Sequence, residues 1–391
     1  MAEAAGVPVI TSDEPGSFPR SVLAERHPAL IRQVREAFPY PPRQQRALDA
    51  LGDETAHGVV GPLPAGAHDA ARWAEWGRGR MGRSWFEVPF LWAESYFYRR
   101  LLDAVGYFEP GPWQGIDPFA PFKRAELGGT EVEEELAALD EVAGLPPEAQ
   151  DHALLSGSLW GNRADLGFRI TSGGPAASSG TEAPVIADDS AAFWRHLAGS
   201  APGAVYLVAD NAGRELIPDL VLLDHLLHTG RAREAVLHVK PYPYYVSDAT
   251  TSDVVDCLRR ITRAPGRAGE IGARLWEAVT TGRLTVRSHP FSCAPLPYAD
   301  MPGDLSADLA RAAVTLVKGD LNYRRLVGDR PWPPTTPFAE LTGYFPGPLL
   351  ALRTLKSDVA VGLPPAMLAA LDGGDTAWRT SGTHAVIQFR R

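Results

Sequence analysis

The hydrophobic positions of the chain follow two different periods, one in each half. Between residues 20 and 155, apolar residues recur at intervals of three and four, as in SVLAERHPALIRQVREAF and VPFLWAESYFYRRLLDAVGYF. This spacing places the apolar side chains on one face of a helix. The pattern therefore predicts a mostly helical N-terminal region, residues 1–155.

In the second half, short β-branched runs alternate with helical patterns. The predicted strands lie in AVYLVAD, EAVLHVKPYPYYVSD, LTVRSHPF, AAVTLVKGD and LLALRTLKSDVAVGL, and helices are predicted in AGRELIPDLVLLDHLLHTG and SDVVDCLRRITRA. Strands that alternate with helices form a parallel sheet with helices on both faces. Residues 156–391 are therefore predicted to form a Rossmann-like α/β domain, a three-layer α/β/α sandwich preceded by the helical region.

Composition and charge narrow the function classes without choosing one. The chain has 391 residues, of which 45% are hydrophobic and 22% charged, as in ordinary globular proteins. Its net charge of -9 argues against nucleic-acid binding, because phosphate contacts require clustered lysine and arginine. Two cysteines, Cys257 and Cys293, no long apolar run and no signal peptide together predict a soluble cytoplasmic protein with reduced thiols and no membrane partner.

Polar residues follow three of the predicted strands directly. Asp210 and Asn211 follow AVYLVA, Asp248 follows PYPYYVS, and Lys318 and Asp320 follow AAVTLV. Ligands of open parallel sheets bind beyond the carboxyl ends of the strands, so these side chains are expected to face one cleft. Two carboxylates and an amide oxygen suit Mg²⁺ or Mn²⁺. Helix capping is the alternative role for Asp and Asn, and the residues alone leave both interpretations open.

The segment KGDLNYRRL concentrates groups that suit a phosphorylated sugar. Lys318 and Arg324 carry positive charges that bind phosphate, and Asn322 and Tyr323 carry groups that bind hydroxyls. Lys356, in LRTLKSDVAVGL, lies beside another apolar run. The alternatives are a charged loop that opens a surface helix and, for Lys356, a lysine exposed to solvent.

Two further patterns are not expected to form sites. GRGRMG, residues 77–82, has the spacing of a dinucleotide-binding loop, but it follows a helical pattern rather than a strand. His225 and His228 are three residues apart on a predicted helix, as paired metal ligands can be, but no third ligand is evident. Both histidines are therefore expected on the helix surface.

Several motifs together resemble the damage-control phosphatase family, also called domain of unknown function 89. They are most similar to its acidic-residue methyltransferase-like subgroup. In order along the chain they are LWGNRADL, DNAGRELIPDLVLLDHLL, YYVSDAT, KGDLNYRRL and RTLKSDVAVGL. WFEVPFLWAESYFYRRLL resembles the family's N-terminal region, so the resemblance spans about residues 20 to 370.

The resemblance implies a metal-dependent phosphatase with a damage-control role, acting on small phosphate esters such as fructose 1-phosphate or fructose 6-phosphate. Asp210, Asn211 and Asp248 match the family's catalytic metal ligands, which hold Mn²⁺ or Ni²⁺ and also Co²⁺ or Mg²⁺. Lys356 matches the lysine that binds the phosphate. The other matches to substrate-binding or neighbouring motifs are Asp320, Leu321, Asn322, Tyr323, Arg324, Asn162 and Lys318.

The resemblance also implies alternatives. An S-adenosylmethionine-dependent protein-glutamate carboxyl methyltransferase activity is attributed to the same subgroup. A third interpretation is a binding or pathway protein that keeps the fold but acts on a specialised phosphorylated metabolite, as a pathway-specific phosphatase, or on none. Methyl transfer needs no metal, and the chain lacks a glycine-rich first strand-turn for that cofactor. Metal-dependent hydrolysis is therefore the preferred hypothesis.

Overall fold

A seven-stranded sheet between two helical layers forms the centre of the described chain. The structure, a computed structural model, describes residues 6–161, 184–374 and 376–391. Its strands are β1 (Val185–Asp188), β2 (Gly203–Val208), β3 (Ala232–Val239), β4 (Leu284–Ser288), β5 (Val314–Lys318), β6 (Leu349–Thr354) and β7 (Ala385–Arg390).

Helices precede the sheet and alternate with its strands. Before the sheet they are α1 (Phe18–Ser21), a π-helical turn (Val22–Arg26), α2 (His27–Ala37), α3 (Pro42–His57), α4 (Ala70–Trp76), α5 (Phe90–Val105), α6 (Ala120–Leu127), α7 (Thr130–Ala137), α8 (Leu139–Ala143) and α9 (Pro147–Trp160). From β1 onward they are α10 (Ser190–Ala198), α11 (Leu216–His228), α12 (Thr251–Thr262), α13 (Gly266–Thr280), α14 (Gly303–Leu309), α15 (Asp320–Val327), α16 (Phe338–Leu341) and α17 (Pro365–Asp372), with 3₁₀ turns at Pro290–Cys293, Tyr298–Asp300 and Thr376–Arg379.

The sheet is mixed rather than fully parallel, which corrects the prediction. Its strand order is β1-β7-β6-β5-β2-β3-β4, and the five strands from β6 to β4 are parallel to one another. β7 runs antiparallel to β6, and β1 runs parallel to β7. The last residue of β6 and the first residue of β7 lie at the same end of the two antiparallel strands. The segment between them therefore connects the strands without running across the sheet.

Alternate residues of the central strands face opposite helical layers. In β2, Val205 and Leu207 pack in the core on one side of the sheet, whereas Tyr206 and Val208 pack in the core on the other side. A strand covered on both faces has no solvent-facing positions, which explains the continuous apolar run of AVYLVA. This two-sided burial confirms the predicted three-layer α/β/α sandwich.

The helical half joins the sheet in two ways. Side chains of α7, α8 and α9 pack in the core that covers one face of the sheet. Helix α9 continues past residue 155, where the helical region was predicted to end. The π-helical turn and helices α2 to α5 build a separate aromatic core, which also takes in Tyr244, Cys293 and Leu321 from the second half. Both halves of the chain therefore contribute to shared cores around the carboxyl ends of the strands.

Four smaller expectations have mixed outcomes. Residues 77–82 form a turn after α4, consistent with their rejection as a dinucleotide loop. The surface prediction for His225 is wrong, because its Nε2 lies 2.7 Å from the Asp151 carboxylate and its side chain is buried. Cys257 and Cys293 are both buried and unpaired. Among the described helices, none is long and apolar enough to cross a membrane.

Candidate active site

The candidate site lies where the connections of the sheet change direction. From β2 the chain proceeds outward through β3 and β4, and it then returns to add β5 and β6 on the other side of β2. Ligands of such sheets bind at this switch point, beyond the carboxyl ends of the strands. Asp210 follows β2 there, and Gly319 follows the neighbouring strand β5.

Asp210 packs directly against the main chain at Gly319. A Cβ atom at position 319 would lie 1.9 Å from Oδ2 of Asp210, and the glycine has φ 84° and ψ 172°, a region that only glycine adopts readily. The side chain of Asp210 is buried. The close contact therefore leaves the carboxylate little freedom to move.

The Asp248 segment crosses beside Asp210 and is paired with it through the backbone. Asn211 and Asp248 form an antiparallel bridge, and the Ala249 amide donates to the Asp210 carbonyl at 2.8 Å. Ser247 Oγ donates to Oδ1 of Asn211 at 2.6 Å. The structure thus brings together the three residues predicted as metal ligands.

Burial and the neighbouring charges shift the pKa of both Asp210 and Asp248. Burial raises the pKa of Asp210 well above its usual value, and the charges of Asp248 and Glu215 raise it further against the opposing Lys356 and Lys240. Burial also raises the pKa of Asp248, while Lys240 lowers it. A buried carboxylate whose pKa is raised by a second buried carboxylate beside it marks a place where an added cation is favoured.

The residues present fit a divalent metal by their chemistry. Oδ2 of Asp248 is buried without a hydrogen-bond donor among the described residues, although Lys240 Nζ lies 3.3 Å away. No cluster of three or more His, Cys, Asp or Glu side chains suited to a metal occurs in the described part of the chain. A metal here would therefore depend on the amide oxygen of Asn211 as well as the two carboxylates, an oxygen set typical of Mg²⁺ or Mn²⁺.

Lys356 and Glu215 lie at the same end of the sheet. Lys356 Nζ is 3.6 Å from Oε1 of Glu215, and the lysine side chain is 48% exposed. Gly161 makes room for Glu215, because a Cβ there would lie 2.6 Å from Cγ of the glutamate. Both side chains line a small cavity with Trp160, Lys318, Gly319 and Thr354. Lys356 is thus a cation that remains open to solvent beside the buried acids.

Asp320 holds the segment that carries Lys356. Its Oδ1 accepts from Arg353 Nε at 2.8 Å, from the backbone amide of Lys356 at 3.2 Å and from Ser357 Oγ at 3.1 Å. Arginine charge lowers the pKa of Asp320 although burial opposes this, so the side chain is an anion. In this structure Asp320 contacts protein groups and fixes the start of the Lys356 loop.

The rest of the predicted substrate segment is buried beneath the site, although Lys318 also lines the small cavity beside Lys356. Leu321, Asn322, Tyr323, Arg324 and Lys318 are all buried. The polar groups of these residues have protein partners: Asn322 Nδ2 donates to the Ala209 and Lys318 carbonyls, Tyr323 Oη to Gln388, Arg324 to Glu94 and Asp329, and Lys318 Nζ to Asp219. Asn162 lies outside the described residues.

Sequence inspection missed three charged residues of this site. Lys240 directly follows β3, so the strand-end rule that selected Asp210 also selects it. Glu215 follows Asn211 by four residues in DNAGREL, but nothing in that spacing shows that it contacts Lys356. Lys123 lies in the helical half and reaches the Asp248 carbonyl at 3.0 Å, a contact without any local signal.

Comparisons with known proteins agree with the motifs. The sequence model of the damage-control phosphatase ARMT1-like domain matches residues 22–371. Damage-control phosphatase ARMT1 from Danio rerio is 32% identical over 334 residues, covering 78% of this chain and 74% of that protein. The Mus musculus and Homo sapiens proteins of that name are 34% and 31% identical, each covering 78% of this chain and 75% of their own length.

A crystal structure of a protein of the domain-of-unknown-function-89 family from Pyrococcus horikoshii is also similar. It matches with a TM-score of 0.48 and 14% identity, covering 94% of this chain and 98% of that one. The family match over most of the sequence and the ARMT1 relatives confirm the predicted resemblance. The chain therefore belongs to the damage-control phosphatase family, and most of its length is an ARMT1-like domain.

Proposed function

We propose that this protein hydrolyses small phosphate monoesters, in particular sugar phosphates such as fructose 1-phosphate or fructose 6-phosphate, with the help of a divalent metal. The observation that carries the proposal is the pair of buried carboxylates, Asp210 and Asp248, held together at the switch point with Lys356 open to solvent beside them. The family to which the chain belongs supports hydrolysis of phosphate esters as the reaction class.

The metal would be held by Asp210, Asn211 and Asp248, and Mn²⁺ or Ni²⁺ is expected ahead of Co²⁺ or Mg²⁺. When bound, it would supply positive charge to a phosphoryl oxygen and lower the pKa of a water molecule. Gly319 fixes the carboxylate of Asp210, and Oδ2 of Asp248, which lacks a hydrogen bond among the described residues, lies 3.3 Å from Lys240 Nζ. These contacts would keep the ligands in place before substrate arrives.

In the proposed reaction, a water oxygen forms a bond to phosphorus while the bond from phosphorus to the ester oxygen breaks. The proton released from water passes to the departing alkoxide, so the products are inorganic phosphate and an alcohol. Lys356 would neutralise negative charge on the phosphoryl oxygens as the transition state forms. Asp320 and Glu215 would orient Lys356, the first through its backbone amide and the second through its ammonium group.

The experiment that tests the proposal is phosphate release from a panel of sugar phosphates, with Mn²⁺, Ni²⁺, Co²⁺, Mg²⁺ or excess chelator. We expect release that requires metal. Asp210→Asn and Asp248→Asn should each lower kcat/KM by on the order of a hundredfold or more, because each removes a charge at the reacting centre. Lys356→Met should lower kcat/KM through weaker handling of the phosphate group.

A matched control is Asp224→Asn, which changes another buried acid. Asp224 pairs with Arg274 between α11 and α13, so the variant is expected to lose stability but keep its metal-dependent turnover. Absence of phosphate release from the whole panel with every metal would contradict the proposal. Metal-independent methyl transfer from S-adenosylmethionine that survives Asp248→Asn would favour the alternative enzyme.

A further inference from the structure

Lys123 connects the helical half of the chain to the candidate metal site. It lies on α6, and its side chain is 5% exposed. Its ammonium group contacts three oxygens: the Asp248 carbonyl at 3.0 Å, Oδ2 of Asp253 at 3.0 Å and Oδ2 of Asp117 at 3.1 Å. An ammonium group has three donors, so this set uses its full capacity.

The contacts of Lys123 fix both ends of the segment that follows Asp248. Asp253 is the third residue of α12, where it completes a capping box by accepting from the Thr250 amide at 2.8 Å and the Thr250 hydroxyl at 2.7 Å. Lys123 therefore binds the same carboxylate oxygen that caps α12, and it also binds the carbonyl of Asp248. The main chain between residues 248 and 253 is held from one point.

This segment has a second attachment on the side of Asp210. The Ala249 amide donates to the Asp210 carbonyl at 2.8 Å, one residue after the carbonyl held by Lys123. The carbonyl that Lys123 holds and the amide that binds Asp210 belong to one peptide group, between Asp248 and Ala249. These two hydrogen bonds together set the orientation of that peptide group. Since the carboxylate of Asp248 is attached to the same short stretch, its direction toward Asp210 depends on both bonds.

We propose that Lys123 is a positioning residue for the metal site: it holds the main chain at Asp248 so that the carboxylates of Asp248 and Asp210 share one location. The proposal rests on the proposed metal function for its effect on catalysis, but its structural content concerns the segment itself. The hydrogen bond of Lys123 to Asp248 is made to the backbone carbonyl, so Lys123 positions the carboxylate through the main chain, and its charge also lowers the pKa of Asp248.

The test is Lys123→Met, which keeps the length of the side chain and removes its charge. We expect the dissociation constant for Mn²⁺ to rise by about tenfold or more, as for other partners that orient metal ligands. Hydrogen exchange of the Ala249 amide, measured without added metal, should become faster in the variant than in the unmodified protein. Lys123→Arg should restore part of the protection, because it keeps a cation in the same place.

Two further variants separate positioning from general stability. Arg274→Met breaks the ion pair between α13 and α11, in which Arg274 Nε lies 3.0 Å from Oδ1 of the buried Asp224, and is expected to leave Mn²⁺ binding and Ala249 exchange unchanged. If Lys123→Met does not fold, Lys123→Met combined with Asp117→Asn removes the charge of one of the two carboxylates that lose their bond to the lysine.

The outcomes are distinct. Unchanged Mn²⁺ affinity and unchanged Ala249 exchange in folded Lys123→Met protein would overturn the proposal, as would an equal effect of Arg274→Met. If the unmodified protein binds no Mn²⁺, the proposed metal function fails, and faster exchange of Ala249 alone in the Lys123 variant still supports the positioning role.

Discussion

At the scale of single residues, two glycines shape the candidate site by what they lack. The contact between Gly319 and Asp210 leaves no space for a Cβ, and the contact between Gly161 and Glu215 is similarly close. Both acids are therefore held against main chain rather than against flexible side chains. A methyl group is the smallest change that tests whether the site needs this closeness.

The residue-scale prediction concerns Gly319→Ala. The added Cβ would overlap the Asp210 carboxylate, whose Oδ2 lies 1.9 Å from that position, so the side chain must turn away. We expect Mn²⁺ affinity to fall by on the order of tenfold to a hundredfold. The free energy of unfolding should fall by about 1–3 kcal/mol, because alanine is strained in this backbone region. Titration calorimetry and denaturant unfolding measure the two effects.

Gly328→Ala is the control for backbone strain. Gly328 ends the same helix, α15, with φ 89°, but the nearest atom to an added Cβ is Arg330 Nε at 3.9 Å. This variant is expected to lose stability without losing Mn²⁺ affinity. Equal metal binding by the two alanine variants would show that the Gly319 contact does not hold Asp210 in place.

At the scale of elements, the loop before Asp248 is held in a strained form by helix α5. Tyr245 and Val246 have φ values of 45° and 55°, a region that costs a residue with a side chain about 1 kcal/mol or more. Tyr98 of α5 stacks on Tyr245 with ring centroids 4.7 Å apart, and Tyr244 Oη donates to Ser95 Oγ at 2.7 Å. The helix therefore stabilises the turn that delivers Asp248.

The element-scale prediction is that Tyr244→Phe weakens metal binding as well as stability. The variant loses one buried hydrogen bond, which contributes about 1 kcal/mol. We expect this bond to stabilise the metal-bound conformation of the loop over the metal-free one, and its loss then corresponds to about a fivefold lower Mn²⁺ affinity. Tyr96→Phe removes a bond of the same length, from Tyr96 Oη to the Gly61 carbonyl, within the helical half. A similar fall in Mn²⁺ affinity for both variants would contradict a specific role of the contact between Tyr244 and Ser95.

The sequence predicted the elements that carry their own periodicity. The helix over VPFLWAESYFYRRLLDAVGYF and the strand over AVYLVAD were predicted because the burial of each follows a local repeat. β1 and β7 were not predicted: β1 is only four residues long, and a fully parallel sheet, as expected for this half, contains no strand that runs antiparallel to its neighbour as β7 does to β6. The direction of β7 depends on the end of the sheet at which the chain enters this strand, and no local sequence pattern indicates that end.

The same distinction applies to the candidate site. Asp210, Asn211 and Asp248 were selected because strand ends are visible in sequence and parallel strands end at one edge. Lys123 was not visible, because its partner carbonyl lies 125 residues further along the chain. The burial of Asn322, Tyr323 and Arg324 was also not foreseen, since a polar segment at a strand end looks the same whether its groups face solvent or protein.

At the scale of the whole molecule, the helical half and the sheet are coupled around the candidate site. Tyr244 and Leu321 lie in the aromatic core of the helical half, while α7, α8 and α9 lie in a core of the sheet. Glu94 of α5 also binds Arg324 of α15 at 2.7 Å, with both side chains buried. Opening the helical half would therefore expose the segments that carry the predicted metal ligands.

The whole-molecule prediction is that Mn²⁺ stabilises both halves together. A ligand that binds only the folded state at a hundred times its dissociation constant adds about 2.7 kcal/mol, which raises the Tm by a few degrees in a protein of this size. Because the halves share their cores, hydrogen exchange through global opening should slow by a similar factor in α5 and in β5. Asp210→Asn should show neither effect. Slower exchange confined to β5 would mean that the helical half opens independently and does not hold the site.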